Sequence, residues 1–239
     1  MNNSLIIDRK KLFEQVAEHL ESQILDGKLK PGDILPPERD LQLSFGVGRP
    51  AIREALISLQ KSGLIEISNG LRARVSRPTA RHIFTGMAPA VRQMIASETG
   101  QRQFQDARMM FEVALTREAA ARATDADVAR LEVALEANRA AIGQTAAFVE
   151  TDIAFHLELT RIVDNPIFIA LHGQILSWLK EQRIVSLAAE GQDRTAFAAH
   201  RAIFEAIRAR DPDQSERAMR AHLSQLTDTY WRQRGRVEE

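Results

Sequence analysis

Apolar residues recur at helical spacing near the start of the chain and predict three short helices. The first helix ends before Pro31-Gly32, and the second covers about 37–45, with Pro37 at its first position. The tight turn at Gly46-Val47-Gly48 leads into a third helix, which Pro50 opens. The apolar positions of the first and third helices are Leu12, Val16, Leu20 and Ile24, then Ile52, Ala55, Leu56 and Leu59.

The pattern changes to a period of two after Ser62-Gly63. Residues 64–67 alternate like a strand, Asn69-Gly70 is a strong two-residue hairpin turn, and residues 73–75 return as a second strand. Three helices followed by such a hairpin predict a winged helix-turn-helix over residues 1–75. The third helix is then the recognition helix, and the hairpin is the wing.

Beyond a short linker at residues 76–79, the pattern is helical to near the end of the chain. Thr124 with Asp127, Asn165-Pro166 and Asp211-Pro212 mark helix starts. Since consecutive helices joined by short turns pack antiparallel, residues 80–239 are expected to form a bundle of six or seven helices, making the chain mostly α. The helices are predicted at roughly 80–97, 102–123, 125–142, 145–163, 166–187, 194–209 and 212–233.

Composition agrees with two modest domains in a chain of 239 residues that is 44% hydrophobic and balances 32 basic against 32 acidic residues. The absence of cysteine excludes disulfides and thiolate metal sites, and is compatible with a reducing cytoplasm. The N-terminal sequence lacks a long apolar core, and polar residues interrupt the apolar stretch at 166–179. Neither export nor membrane spanning is expected, so the location is predicted to be cytoplasmic.

Arginines on the recognition helix are the candidates for reading DNA. Arg49 and Arg53 lie on the side away from its apolar positions, and arginine reads guanine O6 and N7 through two parallel hydrogen bonds. Arg39, at the start of the preceding helix, is placed near the same groove edge. The alternative is that these arginines are solvated surface charges. The candidates for the neighbouring minor groove, at the wing tip, are Asn69, Gly70 and Arg72.

Three histidines and a carboxylate in the helical part are candidate metal ligands. Asp152 and His156 lie four residues apart on one helix face, while His200 and His222 belong to later apolar faces and are expected to point inward. Imidazoles and a carboxylate without thiolate suit Zn, Ni, Mn or Fe. Taken alone, each histidine is better explained as a hydrogen-bonded core residue than as a metal ligand.

Residues 31–70 resemble the DNA-binding domain of the GntR superfamily of bacterial transcription regulators. They begin with PGDILPPERDLQLSFGVGRPAIREAL, which carries most of the resemblance. The resemblance implies that Arg39, Arg49 and Arg53 lie on a double-stranded operator, with the wing at Asn69-Gly70. Small polar residues often flank the second of these arginines in the family, whereas Gly48 and Pro50 flank it here.

DIAFHLEL, AHRAIFEAI and RAHLSQL resemble the metal-bearing segments of the FCD domain, the effector domain of the FadR branch of this superfamily. The resemblance implies that Asp152, His156, His200 and His222 bind one divalent ion, with zinc preferred over Ni, Mn or Fe. It also implies an effector-binding role for residues 80–239. A homodimer is expected because one recognition helix reads only a few base pairs and two-fold operators need two-fold proteins; residues 80–239 are the larger candidate for its interface.

Arg108 is the candidate effector residue, because members of this branch commonly sense small organic or sugar acids and arginine pairs well with a carboxylate. The alternative is a helix-surface salt bridge with Glu112, four residues along. NGLRARVSRPT and NPIFIALHGQILSWL resemble more narrowly the N-acetylneuraminate (sialic acid) regulators of the branch. His172 is expected to line the core, with contact to the effector as the alternative.

The sequence therefore predicts a DNA-binding transcription regulator, expected to be a repressor, whose operator affinity responds to a carboxylate effector beside a metal. A metal-dependent hydrolase or oxygenase, with Glu112 or Glu158 as its acid or base, is the alternative from another class. An architectural DNA-binding protein without an effector is the third. Against an enzyme, no nucleophile or oxyanion motif accompanies the metal residues.

Overall fold

The structure is a computed structural model that describes residues 10–68 and 72–237. The chain divides between Gly86 and Met87 into two compact units. The first unit begins with α1 (Leu12–Leu25), α2 (Glu38–Phe45), α3 (Arg49–Lys61), β1 (Ile65–Glu66) and β2 (Arg74–Val75). Helix α4 (Ala80–Met94) runs across the division, and the second unit continues with α5 (Glu98–Arg122), α6 (Asp125–Ala140), α7 (Thr145–Val163), α8 (Pro166–Trp178), α9 (Lys180–Leu187), α10 (Gln192–Arg208) and α11 (Pro212–Val237).

The first unit packs three helices around one apolar core, as the spacing of its apolar residues predicts. Ile52, Ala55 and Leu59 of α3 are buried against Val16 and Leu20 of α1. Helix α2 begins at Glu38, one residue later than predicted, with Pro37 as its N-cap residue. Gly46 ends it in the left-handed conformation (φ 63°), which glycine adopts without strain. This turn provides the change of chain direction between α2 and α3 that a helix-turn-helix requires.

The two short strands confirm the predicted hairpin. β1 pairs antiparallel with β2, with Ile65 opposite Val75 and Glu66 opposite Arg74. Ser76, assigned to the linker by its sequence, bonds to this unit: its N–H donates to Leu64 O, and its hydroxyl donates to Gly63 O. The wing-tip residues Asn69 and Gly70 lie outside the described residues.

The second unit is built from helices whose caps agree with the sequence. The Thr124 hydroxyl accepts from Asp127 N–H, and the Asn165 side chain accepts from Ile167 N–H. Helix α11 packs against α5 and α10, and α7 packs against α5 and α6. The core lies among these helices, with Phe155, Leu159 and Ile203 fully buried.

Helix boundaries differ from the predictions by a few residues at several ends, such as the end of α11 at Val237 instead of 233, and two differences are larger. Ser97 caps α5 by accepting from Gly100 N–H, so α4 ends at Met94 and α5 begins at Glu98. The stretch predicted as one helix at 166–187 is two, because Leu179 leaves helical geometry (φ −96°, ψ 9°). With this break the described part of residues 80–239 contains eight helices rather than six or seven. None of the helices in the described ranges combines the length and apolar character that a membrane span needs.

Candidate DNA interface and metal centre

Arg49 and Arg53 lie one turn apart on the exposed face of α3, as the sequence predicts. Their side chains are 62% and 55% exposed. Both arginines donate to one carboxylate, which the sequence did not predict. Nε of each arginine lies 3.1 Å from Glu38 Oε2. Burial opposes ionisation of Glu38, but the bonds from Arg49 and Arg53 outweigh it and hold its pKa below the ordinary value. The two arginines are therefore an ion-paired group rather than separately solvated charges.

Arg39 and Arg72 are exposed on the same unit. Arg39 is the second residue of α2, beside the Glu38 that holds the recognition-helix arginines. Arg72 precedes β2 and lines a surface hollow with Glu66 and Arg74. Both are accessible to a ligand.

The four candidate metal residues come together in the core of the second unit. Asp152 and His156 of α7, His200 of α10 and His222 of α11 are at most 1% exposed. One ligand atom from each lies within 4.8 Å of the others. The ring centroids of His200 and His222 are 4.7 Å apart, and those of His156 and His200 are 5.2 Å apart. This arrangement is a candidate site for a divalent ion.

The orphaned nitrogens of the cluster fit such an ion. Within the described residues, Nε2 of His156, His200 and His222 has no hydrogen-bond partner. A buried polar atom left without a partner is costly and needs an explanation, and coordination of a cation is one. An ion at this centre would use lone pairs that the protein otherwise leaves unsatisfied.

Asn138 sets the tautomer of His200. The Asn138 amide group donates to the Thr151 hydroxyl (3.1 Å), so its oxygen faces His200 Nδ1 at 2.9 Å and accepts from it. With the proton on Nδ1, Nε2 of His200 keeps a lone pair, and it lies 3.3 Å from Asp152 Oδ1. Outer partners of this kind orient the histidines of metal sites.

The charge states of the cluster suit metal binding at neutral pH. Burial lowers the pKa of His156 to about 4, despite the opposing influence of Glu112. Burial, reinforced by His200 and His156, also holds the pKa of His222 well below its ordinary value. Burial opposes ionisation of Asp152, yet Arg183 and the neighbouring imidazoles keep its pKa far below the usual range. Neutral imidazoles and an ionised carboxylate are the forms that bind divalent metals.

Two buried ion pairs flank the cluster. Arg183 Nε lies 2.5 Å from Asp152 Oδ2, with both side chains 1% exposed. Arg108 Nε donates to Glu112 Oε1 at 2.6 Å, so the salt bridge weighed for Arg108 is present, but it is largely buried rather than on the helix surface, with side chains 11% and 1% exposed. The sequence did not predict a role for Arg183 in this site, because no motif surrounds it.

Glu112 extends the cluster toward α8. Its Oε2 lies 2.6 Å from His156 Nδ1, and its Oε1 lies 3.3 Å from His172 Nε2. Nδ1 of the buried His172 contacts the Thr160 hydroxyl, so this histidine lines the core as expected. Although burial opposes it, Arg108 and the two imidazoles hold the pKa of Glu112 well below its ordinary value. Glu112 is therefore a fixed anion between Arg108 and a metal-facing histidine.

A small cavity of about 20 Å³, room for about one water molecule, lies beside the two arginines, so a larger ligand requires the side chains around it to move apart. Arg108 Nη2 and both Nη groups of Arg183 are buried and lack a hydrogen-bond partner in the described part of the chain. The cavity is lined by Gln105, Arg108, Gln182, Arg183, Ser186, Leu223, Leu226, Thr227 and Tyr230. Unpaired guanidinium donors surrounded by amides and hydroxyls suit an anionic, hydroxylated ligand.

Family comparisons divide the chain in the same order as the structure. Residues 12–75 match the family described as bacterial regulatory proteins, gntR family. Residues 103–225 match the FCD domain family. The first match covers the winged helix-turn-helix, and the second covers all four candidate metal residues. The cluster is thus a candidate metal site in a domain of a kind that can bind metals.

Curated relatives extend the similarity over almost the whole chain. The HTH-type transcriptional repressor NanR of Klebsiella aerogenes is 41% identical over 97% of this chain and 89% of its own. NanR of Cronobacter sakazakii is 42% identical over 93% of this chain and 86% of its own. NanR of Escherichia coli is 40% identical, covering 93% and 85%.

Solved structures support the fold. The Streptococcus agalactiae GntR structure aligns with a TM-score of 0.62 at 23% identity, covering 90% of this chain and 98% of its own. Escherichia coli McbR/YncC aligns with a TM-score of 0.53 at 18% identity, covering 94% and 99%. The chain belongs to the GntR family of bacterial regulatory proteins and, with its FCD domain, is a DNA-binding transcriptional repressor rather than an enzyme.

Proposed function

We propose that this repressor releases its operator in response to a sugar acid bound beside a divalent metal in the FCD domain. The observation that carries the proposal is the juxtaposition of two sets of orphaned buried atoms. Unpaired imidazole nitrogens lie at the Asp152 cluster, and unpaired guanidinium groups of Arg108 and Arg183 line the adjoining cavity. The imidazole nitrogens lack a cation to bind, and the guanidinium groups lack an anion to which they could donate.

Charge accounting favours an anionic effector. In the protein alone, the two buried carboxylates of Asp152 and Glu112 offset the two guanidiniums of Arg183 and Arg108. A divalent ion held by Asp152 and the three histidines would supply a buried positive charge that can attract ligand oxygens. That charge is uncompensated, and uncompensated charge in a core is costly. A carboxylate effector offsets part of it.

Arg108 is assigned to bind the effector. Its Nε is held by Glu112, which fixes the plane of the guanidinium, while Nη2 remains to donate into the cavity. Arg183, held by Asp152, is proposed as a second donor. Gln105, Gln182 and Tyr230 also line the cavity; the Gln105 amide donates to Gln182 and the Tyr230 hydroxyl donates to Gln101, so these groups are proposed to exchange those bonds for the hydroxyl groups of a sugar acid. N-Acetylneuraminate is the first choice, because the named relatives are NanR repressors.

The proposed metal ligands are Asp152, His156, His200 and His222, with zinc preferred over nickel, manganese or iron. On the DNA side, Arg49 and Arg53 are proposed to read base edges, with support from Arg39 and from Asn69, Gly70 and Arg72 at the wing. We assign residues 1–75 to DNA binding, 76–79 to the linker and 80–239 to effector binding and dimerisation. A homodimer acting on a two-fold operator in the cytoplasm completes the proposal.

Calorimetric titration with N-acetylneuraminate, hexuronates and simple organic acids tests the pocket. Saturable binding is expected for the metal-loaded protein, with binding weakened at least tenfold in Arg108→Ala or after removal of the metal. Binding of native strength in both altered proteins would place the effector elsewhere.

A further inference from the structure

Glu38 occupies a position that the proposed reading of DNA by arginines leaves unexplained. It is the first residue of α2, whereas Arg49 and Arg53 lie on the first turns of α3. A carboxylate on a DNA-facing surface repels phosphate, so it lowers the general affinity for DNA. A residue with that cost needs a role that offsets it.

The geometry of the contacts suggests the role. Oε2 of Glu38 accepts from Nε–H of both Arg49 and Arg53, each at 3.1 Å, and Oε1 accepts a further bond from Arg53 Nε at 3.3 Å. Nε–H lies on the stem side of a guanidinium. The bonds to Glu38 therefore leave the terminal Nη groups uncommitted, and these form a fork that can make two parallel hydrogen bonds to guanine.

A purely structural role is a weak explanation for this triad. The side chains of Arg49, Arg53 and Glu38 are 62%, 55% and 35% exposed, and ion pairs at such exposure contribute little to stability. Without the carboxylate, two cations one turn apart would repel each other, and each long side chain would be free to reach a phosphate. Phosphate contacts add affinity without sequence information.

We propose that Glu38 is a positioning residue for operator discrimination, holding Arg49 and Arg53 with their tips toward base edges instead of phosphates. The proposal rests on the proposed reading of the operator by these two arginines. Asp40 provides a matched control, since it is an exposed acid in the same first turn of α2. Asp40→Asn removes the same charge from the same helix end as Glu38→Gln.

The experiment measures dissociation constants of the full-length protein for two duplexes over a range of salt concentrations. One duplex is an operator that the protein itself selects from a random pool, and the other is a scrambled duplex of equal length and composition. For Glu38→Gln we expect the ratio of the scrambled-duplex constant to the operator constant to fall about tenfold. The salt dependence of DNA binding by this variant should steepen by the equivalent of roughly one to two phosphate contacts, each adding about 0.9 to the slope of log affinity against log salt concentration. For Asp40→Asn the ratio should stay within about twofold of the native value.

Equal ratios for the Glu38→Gln and Asp40→Asn variants would overturn the proposal, because charge alone would then explain both. Glu38→Asp keeps the charge but shortens the reach; it is expected to lose discrimination too, and a native ratio would count against positioning. Arg49→Ala and Arg53→Ala separate the two levels of the argument. If they lose discrimination while Glu38→Gln does not, only the positioning role fails; if none of them loses it, the base contacts are wrong as well.

Discussion

Replacement of Asn138 by alanine tests how the protein prepares His200 for a metal. Asn138 is fully buried on α6, accepts from His200 Nδ1 at 2.9 Å and donates to the Thr151 hydroxyl at 3.1 Å. In Asn138→Ala, the buried His200 Nδ1–H loses its acceptor, which costs about 1–3 kcal/mol of stability in the metal-free protein. The imidazole also loses the partner that keeps its proton on Nδ1.

The effect on metal binding follows from the loss of orientation. Removing an outer partner of a metal-binding histidine lowers metal affinity about 10- to 100-fold. This corresponds to about 1.4–2.7 kcal/mol of binding free energy. Competition with a chromophoric chelator for Zn²⁺, at fixed pH, measures the affinity, and denaturant unfolding of the metal-free protein measures the stability.

Leu159→Ala is the matched control. Leu159 is fully buried in the same core, so its truncation should cost about 2–5 kcal/mol of stability while leaving metal affinity unchanged in the folded protein. If Leu159→Ala lowers the affinity as much as Asn138→Ala, the loss reflects general destabilisation. If Asn138→Ala binds zinc within twofold of the native protein, Asn138 does not orient a metal ligand.

The double variant His200→Ala/His222→Ala should lose its bound divalent metal and the thermal stabilisation by added metal; full occupancy by elemental analysis would exclude the site. Sedimentation at micromolar concentration should show a homodimer, and a monomer both free and on DNA would contradict the proposed assembly. Ionised Asp152, with its depressed pKa, stabilises the fold above its ordinary pKa of about 4 and loses this effect as pH falls below it. Arg183→Met should therefore destabilise the metal-free protein more at pH 7 than at pH 3; equal losses would argue against this pairing.

The sequence predicts the elements whose signals are local. The caps at Thr124 and Asn165 and the turn at Gly46 depend on residues within a few positions, and the structure confirms them. The spacing of Asp152 and His156 likewise places both on one helix face. The break at Leu179 was not predicted, because no proline or glycine marks it.

The remaining site contacts join residues that are far apart in the chain. Asn138 and His200 are 62 positions apart, and Glu38 is 15 positions from Arg53. Arg183 meets Asp152 only because α9 packs against α7. Helical periodicity assigns a face to each residue but not a partner, so these pairings become visible only when the helices are placed together.

Operator affinity with and without N-acetylneuraminate, in metal-loaded and metal-stripped protein, tests the central claim most directly. Since a ligand shifts an equilibrium only through differential binding, the account predicts at least a tenfold loss of operator affinity in the loaded protein, a coupling of about 1.4 kcal/mol. The stripped protein should show no comparable loss. An equal loss without metal, or an unchanged operator affinity at saturating sugar acid in the loaded protein, would contradict it.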